Sequence, residues 1–143
     1  MSPVRFNYFA LLVAALVNFI FEAIWYTVFM RQWLSGIGHD HAWLMSSGVG
    51  PSFQYIQFLA AYLCAFFIAM GISVVMQKTG EQSAMRGIKI GFALWFFFVL
   101  TDHITGDIFA LVPIGSFLVN AGFWLIGMSV MGAIVGAWKA KAK

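Results

Sequence analysis

The chain has 143 residues, of which 62% are hydrophobic and only 9% are charged, and its mean hydropathy is +0.90. Five acidic and eight basic residues are too few to cover the surface of a water-soluble domain, and the long apolar runs exclude a disordered or collagen-like chain. The single cysteine, Cys64, excludes an internal disulfide scaffold. Composition therefore predicts an integral membrane protein.

Four apolar stretches are long enough to cross a bilayer, since about 20 helical residues span a hydrocarbon core of about 30 Å. They predict transmembrane helices over residues 6–29, 53–76, 87–108 and 115–138. The alternation of polar and apolar residues that is typical of membrane β-barrel strands is absent from them. We therefore expect an all-α fold, an antiparallel four-helix membrane bundle, forming a single domain over residues 1–143.

The first stretch is N-terminal and follows Arg5, as the apolar region of a signal peptide does. Its apolar run is longer than such a region, and Glu22, Trp25 and Tyr26 stand where a cleavage site of small residues is expected. We therefore interpret it as a retained transmembrane helix.

The connections between the helices differ in length and composition. The connection over residues 30–52 is long and carries Trp, Leu and Met among Gly, Ser and His, which predicts a segment at the membrane interface. The connection over residues 109–114 is short, so the third and fourth helices should be antiparallel neighbours.

The distribution of basic residues predicts the orientation. Arg31 lies on one side of the four-pass topology, and the other seven basic residues lie on the opposite side: Arg5, Lys78, Arg86, Lys89, Lys139, Lys141 and Lys143. The positive-inside rule then places both termini in the cytoplasm. The net charge of +3 is explained by this topology, so no nucleic-acid partner is expected, whereas membrane lipid is.

Small residues recur at four-residue spacing, which allows helix backbones to approach closely. The pairs and triplets are Ala10 and Ala14; Ala61, Ala65 and Ala69; Gly87 and Gly91; and Gly132 and Gly136. Four helices enclose little interior, so many of the 16 Phe and 6 Trp residues must face lipid or another subunit. This composition favours a homo-oligomer or a subunit of a larger membrane complex, and lipid contact alone is the alternative.

Polar residues inside the predicted helices mark candidate functional positions, because ionisable groups are costly in a membrane. At about 1.5 Å per residue, Glu22 lies about 24 Å from the cytoplasmic end of its helix, and Asp102 and His103 lie about as deep in theirs. Other polar residues of the predicted helices lie at a similar depth or one helical turn away from these three. We call the whole set the polar layer: Asn18, Glu22, Gln57, Asp102, His103, Asp107 and Asn120. Trp25 and Tyr26 are the aromatic neighbours of Glu22.

Two interpretations of the polar layer remain open. A carboxylate and an imidazole at this depth can transfer protons, hold a cation or ligate a metal. Alternatively the layer is structural: Glu22 pairs with His103, or bonds with Tyr26 and Asn120, and so fixes the helix register. His103 and Asp107 form an i, i+4 pair in either case.

Cofactor and metal sites are weakly indicated. A membrane-buried imidazole such as His103 suits a haem or a chlorophyll-type pigment as an axial ligand, but a hydrogen-bonded histidine is the competing interpretation. His39 and His41 flank Asp40 in the external connection, yet zinc needs three or four ligands at suitable spacing. The sequence therefore requires no metal and no cofactor.

Catalytic motifs are absent from the sequence: it contains no nucleophile elbow, phosphate-binding loop, dinucleotide fingerprint, zinc-protease helix or paired-cysteine motif. We therefore expect a protein that is not an enzyme.

Three of the four predicted helices carry runs of a recognisable pattern. The runs are ALLVAAL from Ala10 with AIWY ending at Tyr26, GFALWFF from Gly91, and VNAGF from Val119 with VMGAIVGAW ending at Trp138. In this order they resemble the small bacterial membrane proteins of domain of unknown function family 1761. The resemblance implies a four-pass protein of a prokaryotic inner membrane, and it implies no activity.

The sequence thus leads to three hypotheses about function. The first is a non-enzymatic membrane protein that acts by association, as a homo-oligomer or as an accessory subunit. The second is a transport protein for a proton, cation or small solute that uses Glu22 with Asp102 and His103. The third is a subunit that binds a cofactor or pigment through His103.

Overall fold

The protein was analysed as a computed structural model, which describes residues 4–46 and 50–138. Every regular element in these ranges is helical: α1 (Tyr8–Val28), α2 (Met30–Gly36), α3 (His41–Ser46), α4 (Pro51–Thr79), α5 (Ala84–Leu94), a π-helical segment (Trp95–Leu100), α6 (Thr101–Phe109) and α7 (Ile114–Ala137). The predicted all-α class is therefore confirmed.

Four helices among the described residues are long and apolar enough to cross a membrane: Tyr8–Val28, Ser52–Thr79, Ala84–Phe109 and Ile114–Ala137. The third of these is continuous, because the π-helical segment joins α5 to α6 without a break. The four helices correspond to the four predicted ones and identify a multi-pass membrane protein. The short helices α2 and α3 occupy the connection that was expected to lie at the interface.

Polar side chains cap two helices at positions that differ from the predicted starts by two or three residues. The Asn7 side chain accepts a hydrogen bond from the Ala10 N–H at 3.2 Å, so α1 begins at Tyr8. The Ser83 hydroxyl accepts from the Arg86 N–H at 3.3 Å, so α5 begins at Ala84, three residues before its predicted start. Such caps satisfy the free N–H groups of a first helical turn.

The N-terminal segment, the α4–α5 connection and the end of α7 meet at one end of the bundle. The Arg5 N–H donates to the Gln77 side chain at 2.9 Å, and that side chain donates back to the Arg5 carbonyl at 2.9 Å. The Asn7 side chain donates to the Trp138 carbonyl at 3.3 Å. We call this the terminal end; it carries Arg5, Lys78, Arg86 and Lys89, whereas Lys139, Lys141 and Lys143 lie outside the described residues.

The closest helix contact joins α5 to α7 through glycines. A Cβ atom on Gly87 would overlap the carbonyl group of Gly132, and one on Gly132 would overlap the carbonyl group of Gly87. A Cβ on Gly91 would likewise overlap the Met128 carbonyl, and one on Gly136 that of Ser83. The two backbones are thus in direct contact, as the glycine spacing and the short connection before α7 predicted.

The buried core lies towards the terminal end. It combines residues of α1, α4, the π-helical segment and α7: Leu11, Ala14, Ala15, Ala65, Ala69, Ile72, Met76, Trp95, Ala121, Met128, Met131 and Val135. In α4, by contrast, residues 52–60 are all exposed; we call them the exposed half of α4. Residues of α4 become buried against its neighbours only from Ala61 onward, and before that Phe58 meets Phe19 of α1, so a groove opens between the exposed half of α4 and α1.

Gly87→Ala should destabilise the bundle, because the added methyl group forces the α5 and α7 backbones apart. Overpacking of this kind lowers the free energy of unfolding by about 1–3 kcal/mol, to be measured by denaturant titration in detergent. Gly71→Ala in α4 is the matched control, since its Cβ would meet no atom within 4 Å. Equal stability of both variants would contradict the proposed glycine contact.

Candidate functional site

The groove between α1 and the exposed half of α4 has a volume of about 390 Å³. The residues that line it come from α1, α2 and α4: Phe19, Glu22, Ala23, Tyr26, Trp33, Gln57, Phe58 and Ala61. The α1 residues recur at three- and four-residue intervals and so share one helix face. The groove therefore lies at the level of the predicted polar layer, and it contains both Glu22 and Gln57.

Aromatic rings form the walls of the groove. Phe19 of α1 meets Phe58 of α4 edge to face, with ring centroids 6.0 Å apart. Tyr26 of α1 meets Trp33 of α2 in a similar geometry at 5.5 Å. Ala23 and Ala61 are small, which leaves room between these two pairs. The groove is thus apolar and aromatic, with few polar groups.

Glu22 supplies the negative charge of the groove. Its side chain is half-buried, and it forms no hydrogen bond or ion pair with any residue in the described ranges 4–46 and 50–138. An unpaired carboxylate at membrane depth is costly, so it favours a proton, a cation or a hydrogen-bond donor as its partner. Gln57, exposed on α4 in the same groove, adds an amide that both donates and accepts hydrogen bonds.

Two side chains fix the outer turns of α1 to α7. The Trp25 indole N–H donates to the Val119 carbonyl at 3.0 Å, and the Tyr26 hydroxyl donates to Asn120 Oδ1 at 3.0 Å. The Trp25 ring lies over Gly122, where a Cβ would come within 3.3 Å of the ring. These contacts hold the α1 wall of the groove in place. Tyr26 and Asn120 thus bond to each other, and the expected hydrogen bonds from Glu22 to these two residues do not form among the described residues.

Asn18 faces α7 and not the groove. It is 2% exposed, and a Cβ on Gly127 would overlap its Oδ1 atom. Neither polar atom of its side chain has a hydrogen-bond partner among the described residues. Asn18 therefore packs against α7, whereas Glu22, one helical turn later, lines the groove towards α4.

The remaining members of the polar layer lie on α6. His103 Nδ1 is 3.5 Å from Asp107 Oδ2, as the i, i+4 spacing predicted, and Asp102 is exposed. In the described chain α6 contacts only α7 and the π-helical segment. The expected bridge between Glu22 and His103 is therefore wrong. Equal depth places these groups at one level but on separate faces of the bundle.

His39 and His41 line one pocket beside α1 and α2, and His103 lies apart from them in α6. His39 stacks on Trp43 with ring centroids 3.6 Å apart, and the carboxylate of Asp40 accepts the Trp43 N–H at 2.8 Å. His41 begins α3, and His103 lies in α6. Within residues 4–46 and 50–138, no three His, Cys, Asp or Glu side chains are arranged to hold a metal ion. Asp40 thus caps α3, which gives the loop cluster a structural explanation.

Comparison with known proteins identifies the family. Residues 9–136 match the family described as "Protein of unknown function (DUF1761)". The match covers most of the chain, so the chain belongs to this family, and the resemblance noted in three of its helices is confirmed. No curated protein and no solved structure matches the chain.

Tyr26→Phe should weaken the attachment of α1 to α7, because it removes the hydroxyl that bonds to Asn120. Hydrogen bonds between membrane helices contribute about 0.6 kcal/mol on average, so we expect a small but measurable decrease in unfolding free energy in detergent. Tyr55→Phe is the control, since Tyr55 is 71% exposed. If the two variants unfold alike, the bond to Asn120 does not stabilise the bundle.

Proposed function

We propose that this family member is a non-enzymatic protein of a bacterial inner membrane that binds an organic cation in the α1–α4 groove, with Glu22 as the charge partner. The observation that carries the proposal is the half-buried Glu22 carboxylate, which has no partner among the described residues and lies in an aromatic groove of about 390 Å³. This keeps Glu22 from the second of the three hypotheses, leaves out Asp102 and His103, which lie on α6 outside the groove, and names a class of ligand.

The size and lining of the groove suit a small ligand. Ligand pockets have volumes of about 300–1,000 Å³ and are mostly apolar with a few polar groups. The rings of Tyr26 and Trp33 present π-electron density, which attracts a cation such as a quaternary or primary ammonium group. A carboxylate within the same groove adds direct charge attraction, and this attraction is strong because little water screens it.

The position of the groove favours an amphiphilic ligand that enters from the bilayer. The exposed half of α4 leaves the groove open on its lipid-facing side. Glu22 lies six residues before the end of α1, which is about 9 Å below that end. A ligand there places its charged group beneath the interface and its apolar part among lipid chains or aromatic rings.

The proposed orientation follows the basic residues. The terminal end carries Arg5, Lys78, Arg86 and Lys89, and Arg31 lies towards the other end. With both termini in the cytoplasm, as the positive-inside rule favours, the groove lies in the outer leaflet.

The test compares cation binding by the purified protein and by Glu22→Gln. Benzyltrimethylammonium is the probe, neopentylbenzene is its neutral isostere, and binding is measured by calorimetry in lipid nanodiscs. We expect the wild type to bind the cation and not the isostere, and Glu22→Gln to weaken cation binding by about tenfold or more, because the variant keeps the shape but loses the charge.

Asp102→Asn is the matched control, since it removes an exposed carboxylate of α6 outside the groove. It should bind the cation as the wild type does. Equal binding by wild type and Glu22→Gln, or equal binding of the cation and its isostere, would show that Glu22 is not the charge partner.

A second candidate function is self-association through the exposed half of α4, which is the association hypothesis. Gln54 and Gln57 are both exposed there among large apolar side chains. An amide in a membrane seeks a hydrogen-bond partner across a helix interface. Because an amide both donates and accepts, it is complementary to its own copy, so a second copy of this chain is the occupant that fits.

Disulfide crosslinking in native membranes tests this second candidate. A Gln57→Cys variant, made in a Cys64→Ser background because Cys64 is itself exposed on α4, should form a covalent dimer under mild oxidation. A cysteine at Met85, which is exposed on α5, is the control and should remain monomeric. A monomeric Gln57→Cys variant at native expression would count against self-association through α4.

A further inference from the structure

A second pocket lies at the terminal end, beside the connection between α4 and α5. Its volume is about 540 Å³, and its polar side consists of Thr79, Glu81, Ser83, Arg86 and Lys89. Two cations therefore face one carboxylate. Unlike the Glu22 groove, this pocket has an excess of positive charge.

Arg86 is held in place by the α4–α5 turn. Its guanidinium donates to the carbonyl of Thr79, the last residue of α4. It lies against Gly80, which has a φ of 145° and where a Cβ atom would overlap the guanidinium. The backbone conformation at this position thus favours glycine. A guanidinium has five N–H donors, so the bond to Thr79 leaves others for a ligand.

Lys89 lies one turn farther along α5 and has no hydrogen bond or ion pair with the residues that the structure describes. It is five residues inside the helix that begins at Ala84, which is about 7.5 Å along the axis. A lysine at this depth extends its ammonium group towards the interface. Arg86 and Lys89 are three residues apart, so their charges lie on one side of α5.

The remaining lining of the pocket is apolar. Met85, Ile90 and Ala93 complete it, and Ile90 and Ala93 lie deeper in the helix than the two cations. The pocket therefore has positive charges and hydroxyl groups at the interface and an apolar wall beneath them. A phospholipid has the same order, with a phosphate group above acyl chains.

We propose that this pocket binds the phosphate group of an anionic phospholipid, with Arg86 and Lys89 as its ligands. Arginine and lysine at the membrane interface attract anionic headgroups, and charge-assisted bonds from a guanidinium to phosphate oxygens are short and strong. The two cations exceed the single carboxylate of Glu81 by one charge, which favours a headgroup with a net negative charge over a zwitterionic one. The site is distinct from the Glu22 groove and does not depend on its function.

Native mass spectrometry of the detergent-purified protein tests the proposal, with phosphatidylglycerol as the probe. Phosphatidylcholine carries the same phosphate without net charge, and inorganic phosphate carries it without acyl chains. We expect the wild type to retain phosphatidylglycerol in preference to both. Lys89→Gln should weaken phosphatidylglycerol binding by about fivefold, the effect of one interfacial cation, and Lys89→Arg should restore it.

Arg5→Gln is the matched control, because it removes a cation from the same end of the bundle but outside the pocket. It should bind phosphatidylglycerol as the wild type does. Arg86→Gln should also lose lipid, but Arg86 closes the α4–α5 turn, so Lys89→Gln is the decisive variant.

Three outcomes would overturn the proposal. The first is equal retention of phosphatidylcholine and phosphatidylglycerol, and the second is equal binding of inorganic phosphate, which would identify a site for the free anion. The third is an equal loss of lipid in Arg5→Gln and Lys89→Gln, which would indicate a diffuse interfacial charge and no pocket.

Discussion

The direct backbone contact between α5 and α7 is the constraint on which the rest of the structure depends. Gly87 and Gly132 each occupy the space that a side chain on the other would need. In a bilayer the hydrophobic effect does not bring helices together, so close van der Waals contact must do so. Once α5 and α7 are joined, α7 presents its remaining surface to α1 and α4, and every long helix packs against it. Glycines, which have no side chain, therefore fix the position of α7 as the central helix of the bundle.

The Glu22 groove results from the different ways in which α1 and α4 pack against the α5–α7 pair. α1 is attached to α7 along its length, by Asn18 and Gly127 in the middle and by Trp25 and Tyr26 near its end. α4 is buried against its neighbours at Ala65, Ala69, Ile72 and Met76, whereas its first residues, 52–60, are exposed. Because α1 and α4 are close at one end and apart at the other, the space between them is wedge-shaped, and Glu22 lies in this space. A carboxylate there is accessible from the bilayer and still partly shielded from water, which suits the binding of a cation.

The two ends of the bundle offer opposite chemistry. The groove near the end of α1 has one carboxylate among aromatic rings, whereas the pocket at the terminal end has Arg86 and Lys89 beside aliphatic side chains. In the proposed orientation the basic pocket faces the leaflet whose surface is negative, and the acidic groove faces the other. In the proposed orientation, Arg86 and Lys89 belong to the basic residues that favour this topology. They also line a pocket with an apolar wall, so the same two residues can select an anionic lipid.

The sequence by itself determined the all-α class, the four helices, the glycines at which helix backbones can approach closely, the antiparallel arrangement of the third and fourth helices, and the pairing of His103 with Asp107. Each of these depends on local spacing or on length, which are properties of a single helix or of neighbours along the chain. It also placed Glu22, Gln57 and Asn120 at one depth, since depth follows from the rise per residue. Only the tertiary structure decided which of them meet. The π-helical segment Trp95–Leu100 changes the helical phase before Asp102 and His103, so their direction could not be read from the α-helical period. Three further features could not be read from a local pattern: the contact of Asn18 with Gly127, the separation of α6 from α1 and the exposure of residues 52–60 of α4. They depend on contacts between distant parts of the chain.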